Sequence, residues 1–368
     1  MNERRFVVAL FGLCLAVVVG LLAVRFIAPL TISVFLYYST RRYYKWLRKL
    51  RLTARIRAVV VMASLVIPLF LLISYTFVIL VVEARQLVNQ YPVMDIAANN
   101  LGWFGGVDTI PEFTVQGIYT AYQNGELDVF ISFITDNASF LSTLVSEFFL
   151  NLFIITVVTY YLLIDGGRLR QWLLRFDDGA IVREYLEAVD RELEAVLFGN
   201  MLNVIVTSII AIAVFQGYNF YVPAGAEVPY PALAGALTGV ASLIPVVGMK
   251  IVYVPLTGAA AVPVLLTGEQ SLLAYVVGFF VLAIVVVDTI PDLVLRPILS
   301  GEATHVGLLM LAYTLGPVVL GFYGFFLAPM ILVVGLTFAN TALLRLLGVE
   351  PEEDEDGIHR DQLRLSDF

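Results

Sequence analysis

Charge is scarce in this chain. Asp, Glu, Lys and Arg make up 14% of its 368 residues, against about 25% in soluble globular proteins. With 60% of residues hydrophobic, that scarcity excludes an ordinary soluble domain and implies a polytopic membrane protein. Cysteine occurs once, as Cys14 within an apolar run, which excludes an internal disulfide and a cysteine metal cluster. Histidine occurs only as His305 and His359, and no H-E-x-x-H pair exists, so an intramembrane metalloprotease is excluded. G-x-S-x-G and the phosphate-binding G-x-x-x-x-G-K-S/T are also missing, which removes a serine hydrolase and a nucleotide-driven pump. The expectation is a non-enzyme without metal or cofactor, and any transport must run on an ion gradient or passively. Lysine is rare as well, at Lys45, Lys49 and Lys250 only, and net charge is −8. An acidic, lysine-poor chain suits a high-salt cytoplasm. Its one basic cluster is juxtamembrane, so no nucleic-acid partner is expected.

What is present reads as an all-α membrane protein of about eight transmembrane helices. Residues 6–24 make a first span, with no small-residue cleavage site behind it. Arg25 and Pro29 interrupt it before a shorter apolar run, 26–40. A run of that length reaches about 22 Å as a helix and falls short of the roughly 30 Å hydrocarbon core. It therefore thins the bilayer, anchors through its tyrosines or is re-entrant. Eight basic residues between Arg41 and Arg57, with no acidic one, place this loop and the N-terminus in the cytoplasm. Residues 1–57 thus form a transmembrane hairpin plus a basic loop. Residues 58–164 form a transmembrane pair around a polar extracytoplasmic segment, 83–145, whose last part is amphipathic. Residues 165–197 carry charge of both signs and end in an amphipathic cytoplasmic helix, where Glu187 and Arg191 stand four apart on its solvated side. Residues 198–345 form the transport core, and 346–368 an acidic, disordered cytoplasmic tail.

Within that core, residues 230–335 carry the most information. Two apolar stretches are punctuated alike: one has Pro245, Gly248 and Pro255, the other Pro317, Gly321, Gly324 and Pro329. A proline in a bilayer helix removes an amide donor and frees a carbonyl, tolerated only where protein or a wet cavity surrounds it. Paired broken segments point to a transporter's binding site, and the bland alternative is two tightly packed hairpins. Gly316-Pro317 is expected to divide the long run 306–345. Gly235 and Gly239 form a G-x-x-x-G, read as close helix packing.

Between the broken stretches lies D-T-I-P-D-L-V-L-R-P-I-L-S-G-E-A-T-H, which opens on Asp288. Asp288, Asp292 and Arg296 recur every four residues, on one face if the segment is helical, although Pro291 and Pro297 interrupt it. In the functional reading Asp288 or Asp292 takes a proton or sodium ion, while Arg296 pairs with a carboxylate or an anionic substrate. The alternative is a salt-bridged pair at a helix end. Lys250 lines the pathway or snorkels to an interface. His305 relays protons or is a structural histidine at a helix start. Pro245, Gly248, Pro317, Gly321 and Gly324 offer unwound backbone to a substrate or ion.

These motifs resemble the autoinducer-2 exporter family. The resemblance rests on D-G-G-R-L-R after Tyr160-Tyr161-Leu162-Leu163, on I-P-V-V-G, on D-x-x-L-R-P-I-L-S-G and on the closing G-x-x-G-F-F-L-A-P. It covers roughly residues 1–345 in layout and is specific over 230–335. It implies about eight membrane segments, a cytoplasmic C-terminus, homo-oligomeric assembly and transport. Some members are assigned to export of a small quorum-sensing furanone and others are described as sodium/proton antiporters. Where the family often has an aromatic residue after the proline of I-P-x-x-G, this chain has Val246, and Lys250 follows two positions past Gly248. The expected function is secondary export of a small solute across the plasma membrane, with both termini cytoplasmic and the lipid bilayer as partner. The alternatives are a sodium/proton antiporter and a non-transporting scaffold or channel.

Overall fold

The structure is a computed structural model that describes residues 3–65, 67, 68, 71, 72, 75, 76, 123, 135–174, 179–244, 247–268, 270–295 and 305–346. Among them every regular element is helical. The chain divides into two compact units, residues 1–64 with 154–368, and residues 65–153. Most of the segment 83–145 lies outside the described residues, as does the acidic tail.

Helix α1 (Glu3–Arg25) and helix α2 (Ile27–Trp46) are separated by Phe26 and bent through 79°. Pro29 explains the position of the break. Its ring and missing N–H would disrupt a continuous helix, but are harmless in the first turn of a new one. Residues 54–65 form a further helix. Then come α3 (Ala138–Leu173), α4 (Ala180–Tyr221), α5 (Pro231–Ala241) and α6 (Gly248–Thr267). Helix α7 (Leu273–Leu282) continues through π-helical turns at Ala283–Thr289 and Pro291–Leu295. Helices α8 (Val306–Leu320) and α9 (Gly324–Phe338) complete the order, with a last π turn at Ala339–Leu343.

By length and composition four of these helices can cross a membrane, or five if the bent α1–α2 pair is one span. Three more apolar helices are shorter, so the described residues do not reach the count of eight. The 15 residues of α8 rise only about 22 Å, less than the hydrocarbon thickness.

In the first unit α4 is the axis. It packs against α2, α5, α9 and the π-helical continuation of α7. On one side Phe215 of α4, Tyr253 and Met249 of α6, Phe279 of α7 and Val287 share a buried cluster. On another, Leu193 and Leu197 of α4 pack with Phe35 of α2, Tyr313 of α8 and Val333 of α9. Gly235 and Gly239 lie directly on the α4 backbone at Ile212 and Ser208, where a side chain has no room. Small residues let two helices approach closely when lipid supplies no hydrophobic drive.

The long run 306–345 is divided, but not at Gly316-Pro317. Pro317 lies inside α8, and the break falls four residues later at Gly321, whose φ is +76°. That left-handed conformation ends α8 and reverses the chain, whereas a proline alone can only kink a helix. Helices α8 and α9 fold back as a hairpin. Gly316 and Gly324 face each other near its tip, and a Cβ on either would strike the other's carbonyl.

Candidate functional site

The site begins at a tight turn. Between α5 and α6 the Ile244 amide donates to the Ala241 carbonyl at 2.9 Å, and the Gly248 amide to the Ile244 carbonyl at 3.0 Å. A Cβ at Gly248 would collide with Ala241 and Ile244, so glycine lets α6 start this close to the end of α5. That start fixes the direction of the first turns of α6, where Lys250 and Tyr253 stand three apart on one face.

Both side chains converge on Asp288. The Lys250 ammonium lies 2.6 Å from Asp288 Oδ2, and the Tyr253 hydroxyl donates to the same oxygen at 2.9 Å. The Asp288 side chain is 7% exposed and that of Lys250 44%, so the pair is buried at the carboxylate end and open at the ammonium end. A carboxylate in this apolar cluster is tolerable because it is paired and hydrogen-bonded. The wide turns of the π segment put Asp288 and Asp292 together on the buried side. Within them the Thr289 hydroxyl donates to the Ile284 carbonyl, five residues back, at 2.8 Å. Such π turns inside helices are frequent at functional sites.

Among the predicted site residues, the structure brings Lys250 and Asp288 together and places Asp292 one turn on. Gly248 fixes the turn beneath them. Pro317, Gly321 and Gly324 belong to the α8–α9 hairpin. His305 is exposed at the N-cap of α8, where its carbonyl accepts from the Leu308 and Leu309 amides and its side chain makes no capping bond. Pro245 and Arg296 lie outside the described residues. The cation seen on Asp288 is Lys250, thirty-eight positions away.

A second polar assembly joins α2 to the first half of α4. Arg41 lies 2.6 Å from Asp190, and Glu194 collects Arg41 at 3.3 Å, Arg42 at 3.3 Å and Lys45 at 2.8 Å. The basic stretch is therefore more than a topological signal: it clamps the acidic helix. On the exposed side Glu187 pairs with Arg170 at 2.7 Å, and Arg345 reaches Glu184 at 2.8 Å. Three features had no reader in the sequence: Tyr253, the clamp, and a buried polar stripe of Asn200, Asn203 and Thr207 on α4. A Lys-x-x-Tyr pair and polar residues spaced three and four apart are the signals that carry them.

A buried, ion-paired carboxylate where one helix loosens into π turns beside the start of another, among helices long enough to cross a bilayer, fits a multi-pass membrane protein of the transporter class. Residues 6–343 match the family described as AI-2E family transporter, and the chain belongs to that family. It is 27% identical over 317 residues to a "Putative transport protein" of Archaeoglobus fulgidus, covering 84% of this chain and 86% of the relative. It is 25% identical over 273 residues to another of the same description from Methanothermobacter thermautotrophicus, covering 71% and 74%.

Proposed function

We propose that this protein is a secondary transporter that exports a small solute across the plasma membrane and couples its movement to an ion. In this reading eight spans place both termini in the cytoplasm and the chain works as a homo-oligomer. The broken segments 240–258 and 312–329 enclose a site near the bilayer midplane, and the carboxylates at 288–292 carry the coupling ion. The observation that supports it most is Asp288, a buried carboxylate held by Lys250 and Tyr253 where a helix loosens into π turns. An ionisable group at membrane depth is costly, and such groups mark ion pathways and proton relays. The Lys250–Asp288 pair has two states: closed on itself, or opened when a proton or sodium ion takes the place of the ammonium.

A sodium/proton antiporter is the second reading, favoured by the two buried carboxylates lying one turn apart. A scaffold or channel is the third. The test uses purified protein in liposomes with an acidic interior and a pH-sensitive dye, with sodium added outside. The antiporter predicts collapse of the gradient by wild type and not by the Asp288→Asn, Asp292→Asn double variant. The exporter predicts sodium- or proton-driven accumulation of a small furanone in everted vesicles, lost in the same variant. If wild type does neither, ion-coupled transport of these substrates is overturned and the scaffold reading leads.

A further inference from the structure

The clamp on α4 engages only part of the basic stretch. Arg41, Arg42 and Lys45 are held by Asp190 and Glu194, and Arg57 stacks over the Tyr44 ring, 4.4 Å from its centroid. Arg48, Lys49, Arg51 and Arg55 are exposed, and among the described residues none of them has an acidic partner. The chain as a whole carries a net charge of −8, yet no acidic residue occurs between Glu3 and Glu83. Four like charges this close repel one another unless an anion joins them.

The turn that presents them is firmly mounted. Leu47–Leu50 is a single 3₁₀ turn after α2, closed by Arg51 at φ 55°, whose amide donates to the Arg48 carbonyl at 3.1 Å. Leu47 anchors it from beneath, buried in one cluster with Ala58, Val61 and Leu163 of α3. The apolar side chains between the cations are not buried with it. Trp46 is 54% exposed, Leu50 57% and Ile56 49%. The surface is therefore cationic and apolar at once, which a face turned only to water has no reason to be.

Helix α4 gives the depth of this surface. At its end Phe220 and Tyr221 are each 83% exposed, as aromatic side chains in a headgroup layer are. From Phe220 back to Glu194 the continuous helix rises about 39 Å. With the aromatic pair in one headgroup layer, Glu194 lies beyond roughly 30 Å of hydrocarbon, in the opposite layer. Helix α2 runs antiparallel to α4 here, with Ser39 donating to the Leu197 carbonyl and Lys45 on Glu194. It is therefore leaving the hydrocarbon where the turn begins, and the turn stands at the level of lipid phosphates.

We infer that Arg48, Lys49, Arg51 and Arg55 form a binding site for the headgroup of an anionic phospholipid, with Trp46, Leu50 and Ile56 resting against the apolar part of the same lipid. Juxtamembrane basic clusters attract anionic headgroups, and tryptophan favours the interface between headgroup and hydrocarbon. The chain has another source of negative charge in its own run E-P-E-E-D-E-D at 350–356. That run matches the cations but brings no large apolar side chain to cover Trp46, Leu50 and Ile56. A phospholipid supplies both the phosphate and the apolar cover.

The test reads Trp46 directly. The chain has three tryptophans, so in full-length protein carrying Trp103→Phe and Trp172→Phe the remaining fluorescence is that of Trp46. Brominated lipid quenches it on contact. The protein is reconstituted in phosphatidylcholine with rising shares of brominated phosphatidylglycerol or brominated phosphatidylcholine. Half-maximal quenching is expected at about 5-fold less phosphatidylglycerol, with the preference shrinking in 1 M salt. Replacing Arg48, Lys49, Arg51 and Arg55 together by Gln abolishes the preference, whereas replacing the three arginines by Lys keeps it. Arg168→Gln, which removes an exposed arginine paired with Asp165 at 2.7 Å, leaves it unchanged. Equal quenching by the two lipids overturns the site, as does a preference that survives the quadruple Gln variant. A preference that emerges only after the acidic residues of 350–356 are replaced by their amides makes the tail the occupant and overturns the lipid site. Should the tryptophan replacements disturb folding, native mass spectrometry counts the phosphatidylglycerol retained by wild type and by the quadruple variant, and equal counts overturn the proposal.

Discussion

Gly316 and Gly324 meet across the α8–α9 hairpin so closely that a methyl group on Gly324 would lie 2.9 Å from the Pro317 nitrogen and still nearer the Gly316 carbonyl. Backbone, unlike a side chain, has no rotamer to escape into. Gly324→Ala is therefore expected to splay the arms and to destabilise the protein by about 1–3 kcal/mol, the usual cost of overpacking. Gly335→Ala in the same helix α9 meets nothing within 4 Å and is expected to be neutral or slightly stabilising. Thermal unfolding of the two variants in detergent compares them directly, and equal midpoints would contradict the close crossing.

The Lys250–Asp288 pair makes a sharper prediction. Lys250→Met strands a carboxylate whose side chain is 7% exposed. Breaking a buried pair from one side costs about 3–5 kcal/mol, and the exposed stem of Lys250 places the loss near the low end. Removing the second charge as well, with Asp288→Asn, leaves no uncompensated ion. The double variant is expected to regain most of that loss, so the two single effects do not add. Denaturation of all four proteins closes the cycle. Simple additivity would mean that the pair contributes nothing.

Tyr253 shares the Asp288 oxygen with Lys250, and it is the member of the trio with no charge. Tyr253→Phe removes one hydrogen bond to a charged acceptor, about 1.5–3 kcal/mol when buried, and keeps the ring packed 6.0 Å from Phe280. If Tyr253 only supports packing, flux per folded molecule stays at the wild-type level. If it helps hold the carboxylate, flux falls while the protein still runs as a single species in gel filtration. Proteoliposome flux normalised to folded protein decides between them.

How much of this was legible depends on how local the cause is. A proline or glycine acts on its own backbone, so the breaks near residues 26, 248 and 321 can be read from residue order. Gly316-Pro317 misleads because proline is the louder signal, yet the turn needs a positive φ, which Gly321 supplies. The partner of Asp288 is another matter. Lys250 is thirty-eight residues away in sequence, and only the packing of α6 on the π segment brings it into contact. The stripe on α4 escapes for a similar reason: three polar residues in an apolar helix look like interruptions until their burial is seen. The basic stretch reads correctly for topology, but its contact with Asp190 and Glu194 is again tertiary.

That contact leads to the last prediction. Glu194 is ringed by Arg41, Arg42 and Lys45, and its side chain is 14% exposed while those of Arg42 and Lys45 are about half exposed. An isolated surface pair is worth little, but one carboxylate serving three cations is a network. Glu194→Gln keeps the shape and leaves Asp190 as the only acidic partner of Arg41 among the described residues. Three cations on adjoining turns of α2 then repel one another with one less counter-charge. The expected loss is about 1–2 kcal/mol at low salt, shrinking as ionic strength rises, because the exposed ends of Arg42 and Lys45 are screened over about 10 Å at 0.1 M. Glu184→Gln, which removes only the Arg345 contact, is expected to cost less. Unfolding midpoints at 0.05 M and 1 M salt test both statements together. A Glu194→Gln deficit that is the same at both salts would mean that shape, and not charge, holds α2 to α4.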